Sequence, residues 1–266
     1  MNDGVRDHYS PAGLTERLKA VLGPQTQPLT QQQLAQLDQF HTRGLAATAD
    51  LAKLVGITAD MSVLDIGSGV GGPARFLAEN YGCRVTGVDL SDAFVEAARF
   101  LTARTGQSDR ISFQTANALN LPFNDSTFDV VLLQHVAMNI ADRASLYKEI
   151  RRVLTSGGRF ATFDVVLNNG EPHYPVPWAR TPVTSFLLSA PATGEVIEAA
   201  GFRTLVSQDD TNAAKDWFAS LRASGPPPAP NLGVVMGPDF PQLAANLGRS
   251  IMEGRLGVLT AVFQAM

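Results

Sequence analysis

The chain has 266 residues, with 21 Lys and Arg against 25 Asp and Glu, a formal net charge of −4. Hydrophobic residues make up 45% and charged residues 17%, which excludes a disordered chain; the mild acidity gives no general attraction to nucleic acid or an anionic membrane. The single cysteine, Cys83, excludes an intramolecular disulfide and a thiolate metal site, and reads as a small inert hydrophobe. No apolar h-region opens the sequence and no run reaches the roughly 18 apolar residues of a spanning helix. The expectation is a cytoplasmic protein with one elaborated domain.

Residues 1–43 are rich in Gln, with an amphipathic stretch at Leu14, Leu18 and Val21. They are expected to form a lid segment. From Gly44 onward, strand-length apolar runs alternate with helix-periodic segments, the signature of an α/β protein with a parallel sheet and crossover helices. Met61 to Ile66 reads as a strand that ends in a glycine cluster. Ala74, Leu77, Ala78 and Tyr81 then mark a helix face behind Pro73, and Gly82 stops it. Arg84 to Asp89 is a second strand, followed by Ser91 as N-cap and by Phe94, Ala97, Ala98 and Leu101 on one helix face. Gly106 ends that helix.

Ile111 to Gln114 predicts a third strand, and Asp129 to Gln134 a central fourth. Asp142 is placed to cap a helix carrying Leu146, Ile150, Val153 and Leu154, with Gly157 and Gly158 as its stop. Arg159 to Asp164 is the fifth strand, Glu195 to Ala200 a helix, Phe202 to Val206 a sixth strand, and Val258 to Phe263 the last. Trp217 and Phe218 share a helix face with Ala214 and Leu221, which makes them core residues. Two further segments break the alternation. One starts at Asn168 and carries four prolines with Tyr174 and Trp178; the other is the Pro226 to Pro230 tract, an extended connector.

The run Asp65-Ile66-Gly67-Ser68-Gly69-Val70-Gly71-Gly72 joins a strand to a helix. Gly67, Gly69 and Gly72 satisfy G-x-G-x-x-G, and an acidic residue, Asp89, follows 22 residues after Gly67 (89 − 67). The pattern by itself also describes a dinucleotide site. Asp65 tilts the choice, because a carboxylate at the strand end repels a diphosphate and suits a cationic group. Asp89 can accept both hydroxyls of a ribose. S-adenosylmethionine joins a ribose to a positively charged amino acid, and it suits both carboxylates.

With Val63 to Arg75 and Val85 to Ser91, three later pieces complete a recognisable order: Ala118 to Phe123, Phe128 to Val131, and Ile150 to Gly158. Together they resemble a class I S-adenosylmethionine-dependent methyltransferase of the small-molecule type, related to the ubiquinone/menaquinone, sterol and glycine/sarcosine enzymes. The resemblance implies a Rossmann-like seven-stranded mixed sheet with helices on both faces and the last strand antiparallel. It divides the chain into a lid over 1–43 and a methyltransferase domain over 44–266, with a substrate-side insertion at 168–188. It implies that Asp65, Gly67, Ser68 and Gly69 surround the methionine part, with Gly71 and Gln134 completing the cofactor set. Asp89 and Leu90 would hold the ribose and flank the adenine, and Asn117 and Ala118 would meet the adenine edge. Asn117 stands where the family commonly has Asp, and Thr155-Ser156 replaces a basic-Pro pair. The product would be S-adenosylhomocysteine, and the partner a small-molecule methyl acceptor with an N, O or C nucleophile.

In-line transfer from a sulfonium needs alignment above all, and a base only where the acceptor is protonated. His135, just after the fourth strand, is the candidate for acceptor positioning or proton removal; its alternative is a bond to a loop carbonyl. Met138 and Asn139 follow in the same loop. His41 from the lid, and His173, Tyr174 and Trp178 from the insertion, would wall the acceptor pocket; the alternative is that the insertion's aromatics form its own small core. His8 and Tyr9 are a further candidate contact over the cofactor. These residues include no Lys or Arg, so the pocket suits a neutral or cationic acceptor unless Arg43 or Arg180 turns inward. No short-spaced ligand cluster is visible, and no metal or nucleic acid is expected. The competing readings are an NAD(P)-dependent oxidoreductase on the same loop, and a SAM-binding protein without methyl transfer.

Overall fold

The computed structural model describes residues 13–24, 27–225 and 230–266. The His8–Tyr9 contact and the connector's prolines 226–228 lie outside the described residues. Seven strands form one sheet: β1 (Ser62–Ile66), β2 (Arg84–Asp89), β3 (Ile111–Thr115), β4 (Phe128–Gln134), β5 (Leu154–Leu167), β6 (Phe202–Asp209) and β7 (Leu256–Ala265). Their order is β3-β2-β1-β4-β5-β7-β6. β1 to β5 pair in parallel, and β7 runs antiparallel to both β5 and β6. This is the mixed sheet expected from the sequence. Successive residues on β1 point to opposite faces, yet Val63 and Leu64 are both fully buried. That pattern arises when helices cover both faces of a parallel sheet.

The helices start and stop where local chemistry directs. Gly82 caps α4 (Gly72–Tyr81) in a left-handed conformation. The Ser91 hydroxyl accepts from the Phe94 N–H at 3.3 Å to open α5 (Asp92–Arg104). Asp142 accepts from Ser145 N–H at 3.0 Å to open α6 (Arg143–Val153). Several boundaries differ from the sequence reading: the helix expected from Glu195 starts at Ala190 and β6 runs on to Asp209, and the α6–β5 junction is the most informative. There α6 ends at Val153, because Leu154 already pairs with Phe128; Gly157 and Gly158 lie inside β5, where the β4–β5 register shifts. On α8 (Thr211–Ser224) Ala214 and Phe218 are buried, whereas Leu221 is exposed. Val21 is exposed as well, so only Leu14 and Leu18 of the expected N-terminal face are covered.

Three N-terminal helices precede the sheet: α1 (Leu14–Leu22), α2 (Gln31–Asp38) and α3 (Leu45–Val55). Leu14, Leu18, Leu34 and Leu37 pack against Phe94, Ala97 and Leu101 of α5 and against Val235 of α9 (Gly233–Met236). A buried guanidinium fixes this layer to the glycine loop. Arg75 donates to Asp38 at 3.0 Å, to the Val70 carbonyl at 2.8 Å and to Thr102 at 3.1 Å. α7 (Ala190–Ala199) packs against β6 and α6, whereas α10 (Phe240–Met252) packs against α8 and β7 in a separate core cluster. The chain reverses direction across the sheet between β1 and β4, where open α/β sheets bind ligands beyond their carboxyl ends. Among the described residues, no helix is long and apolar enough to cross a membrane.

Candidate active site

A cavity of about 1080 Å³, its open mouth included, lies at that reversal point. Its floor is the loop after β1. Gly67 and Ser68 donate their N–H groups to the Val88 carbonyl at 2.8 and 3.0 Å, which holds the loop against β2. Gly67 has φ +70°, and a Cβ there would stand 2.3 Å from a Val136 methyl. Gly69 has φ +52°, and its Cβ would stand 2.8 Å from the Phe40 ring. Only glycine fits either position, and the backbone is left bare toward the cavity. Asp89 stands at the rim of this floor, accepting from Gly69 N–H and Ser91 N–H at 2.9 Å each. These bonds hold both carboxylate oxygens in place and leave each with further acceptor capacity. Burial raises the Asp89 pKa while the same N–H groups oppose the rise.

Asp65 sits behind the loop, almost fully buried, and its Oδ2 has no partner. Burial and then the nearby Asp89 charge push its pKa up to about 7. An unpaired buried carboxyl beside a bare glycine loop fits a ligand that brings a positive charge and N–H donors. Ser68 Oγ is likewise buried without a partner. Leu90, Ala118 and the exposed Asn117 line the opposite wall. The Asn117 amide oxygen accepts from Leu119 N–H at 3.0 Å, so its first obligation is to the local turn.

The other end is built by the turn after β4. His135 adopts φ +54°, uncommon for a non-glycine residue. Its N–H donates to the Phe163 carbonyl at 2.8 Å, and its ring stacks on Phe163 with centroids 5.3 Å apart and planes at 14°. Asp164 holds the following residues: its carboxylate accepts from Ala137 N–H at 2.9 Å and also from Val136 N–H. Burial pushes Asp164 up to about 7, opposed by the Arg143 charge. His135 is pushed well below the ordinary imidazole value by burial and then by His41, so it is neutral at pH 7. Thr42 Oγ1 lies 3.4 Å from His135 Nε2.

Gln134 ends β4 with its side chain buried. Its Oε1 lies 3.3 Å from the Thr48 hydroxyl, while its Nε2 has no partner. The same hydroxyl lies 3.0 Å from His41 Nε2 and 3.3 Å from Gln39 Oε1. With one proton, Thr48 can donate to only one of the three at a time.

The structure therefore brings Gly67, Gly69, Asp89, Leu90, Asn117, Ala118, Gln134, His135, Met138, Asn139 and Trp178 to one cavity. Asp65, Ser68 and Gly71 stand behind its wall, Gly71 as N-cap of α4. His41 is also set back, buried 6.1 Å from the His135 ring, and burial lowers its pKa to about 4. Two expectations are corrected. His173 turns away from the cavity: its N–H donates to Ser250, and Nε2 lies 2.6 Å from Glu253. Tyr174 hydrogen-bonds Ser185 and packs on the core without lining the cavity. The sequence reading missed Phe40, Val136, Ile140, Met236 and Leu247 as lining residues, none of which carries a chemical signature. It also missed Asp164, whose signal was available: a carboxylate in the middle of an apolar strand.

Residues 64–162 match the family model described as "Methyltransferase domain". Over 131 residues the chain is 36% identical to "Methyltransferase GfsG" of Streptomyces halstedii, covering 49% of this chain and 47% of that protein. It thus spans about half the length of that curated relative. Two solved structures share the whole architecture. One is geranyl diphosphate C-methyltransferase from Streptomyces coelicolor A3(2), with TM-score 0.73, 18% identity, and 100% of this chain and 98% of that one covered. The other is the [4+2]-cyclase SpnF, with TM-score 0.68, 20% identity, and 95% and 92% covered. The fold is that of the class I methyltransferases, and the segment from β1 into β5 matches the methyltransferase-domain family.

Proposed function

We propose that the chain transfers a methyl group from S-adenosylmethionine to a small-molecule acceptor. The observation that carries this reading is the pairing of two carboxylates around one bare glycine loop. Asp65 would receive the ligand's ammonium group, and Asp89 its ribose hydroxyls. Leu90 and Ala118 would flank the adenine, with Gly67 and Gly69 allowing close approach. S-adenosylmethionine supplies a methyl already activated on a sulfonium, so the protein's work is alignment and exclusion of water. Gln134 Nε2 is a free buried donor at the junction of the two ends of the cavity. His135, neutral and stacked on Phe163, positions the acceptor and can take its proton at a ring nitrogen. Asp164 acts through the Val136 and Ala137 N–H groups to hold that ring's backbone.

The test is a methyl-labelled S-adenosylmethionine assay against small molecules extracted with the purified protein, read by mass spectrometry. A labelled product with stoichiometric S-adenosylhomocysteine is expected. Tight cofactor binding with no product over a broad acceptor panel would instead identify a SAM-binding protein without transfer.

A further inference from the structure

Where the cavity's acceptor end is concerned, what matters is the absence of charge around it. Beyond the cofactor end, the wall is made by Met138, Ile140, Pro177, Trp178, Met236 and Leu247. Among the described residues, no Lys or Arg lines the cavity. The two arginines that might supply a counter-charge from nearby segments are both engaged elsewhere. Arg43 is salt-bridged to Asp50 and Asp210. Arg180 pairs with Asp239 at 3.0 Å. Arg143, under the β4 turn, donates to the Phe186 carbonyl and to the Tyr147 hydroxyl. An anionic headgroup would lose its water there and find no partner, a cost that strongly disfavours binding.

A cation fares no better. Asp89 is the only carboxylate lining the cavity among the described residues, and it stands at the ribose end with two N–H groups on it. Aromatic rings can hold an ammonium, but a cage needs several faces. Phe40 and Phe94 pack tilted against one another, with centroids 5.6 Å apart and planes at 58°. That leaves Trp178, whose indole N–H is spent on Ser185 at 2.9 Å. The indole presents an apolar surface and no donor. Burial holds both His41 and His135 neutral, so neither brings a formal positive charge to pair with an anion.

We infer that the acceptor is an uncharged, largely apolar molecule whose single polar handle, a hydroxyl, meets His135 and Asn139. This rests on the methyltransferase reading above, and it separates the chain from the fold neighbour named for a diphosphate. The Asn139 amide oxygen is buried without a partner and offers an acceptor to a hydroxyl proton.

Three probes with the same ten-carbon tail separate the possibilities: geraniol, geranylamine and geranyl diphosphate. The chain has two tryptophans, so Trp217→Phe leaves Trp178 as the sole reporter. With S-adenosylhomocysteine bound, as established by calorimetry on the same sample, each probe is titrated against Trp178 emission. Geraniol is expected to change the emission and to bind at least ten-fold more tightly than either charged probe. A diphosphate or amine that binds as tightly as the alcohol overturns the inference, and so does an alcohol that produces no change. Failure of S-adenosylhomocysteine itself to bind would overturn the methyltransferase reading instead.

Discussion

Asp65 shows what burial does to an unpaired carboxyl. Its carboxyl has a folded-state pKa of about 7 against an ordinary value of 3.8. The sign follows from proton linkage. Between about pH 4 and pH 7 the unfolded chain has released this proton and the folded one keeps it, so Asp65 lowers stability progressively as pH rises through that window. A bound ammonium group favours the ionised form, so S-adenosylhomocysteine affinity is expected to rise with pH up to about 7 and then level. Asp65→Asn should flatten that dependence and raise the melting temperature of the ligand-free protein at pH 8; calorimetry and thermal melts check both. At the other end of the cavity, His135→Ala should lower methyl transfer by about 100-fold, within the range for general acid–base groups. S-adenosylhomocysteine affinity should stay within about three-fold. Equal losses in both would remove His135 from the acceptor side.

The elements place these residues through a few buried polar braces. Arg75 of α4 joins the glycine loop, α2 and α5 from a site that is 2% exposed. Arg75→Ala would strand Asp38 without its charge partner, a change that typically costs about 3–5 kcal/mol. Urea denaturation should show that loss. Cofactor affinity should fall with it, because Phe40 two residues beyond α2 stands over Gly69. Retained stability would show that the ion pair is dispensable. The insertion is braced in the same manner: Phe186 donates its N–H to the Met138 carbonyl at 2.9 Å, tying it to the β4 turn. Its local backbone explains why one aromatic reaches the cavity and a histidine does not. The Val176–Ala179 bridge makes a tight turn that directs Trp178 inward, while His173 is held outward by Ser250 and Glu253. Sequence proximity carried no information about that divergence.

At the scale of the molecule, legibility followed the physics of each element. β1 and β4 were readable because a strand buried on both faces is a largely apolar run, and Ser91 and Asp142 announced their helices by capping. The boundary between α6 and β5 was not, since Leu154 is equally at home on a helix face or in a strand until its partner Phe128 is known. The glycine-loop end of the cavity was legible because its glycines and carboxylates stand at fixed spacing in the sequence. The opposite end is made by apolar residues from the β4 turn, the insertion and the C-terminal helices, which only the tertiary fold brings together. Everything proposed about the chemistry depends on the first of these two ends. The most direct test is a calorimetric titration of the wild-type protein and Asp89→Ala with S-adenosylhomocysteine, and with NAD as the competing ligand. The account predicts one S-adenosylhomocysteine per chain, an affinity loss of about ten-fold or more in Asp89→Ala, and no heat from NAD. Tight binding of NAD, or an S-adenosylhomocysteine affinity that ignores the loss of Asp89, would contradict it.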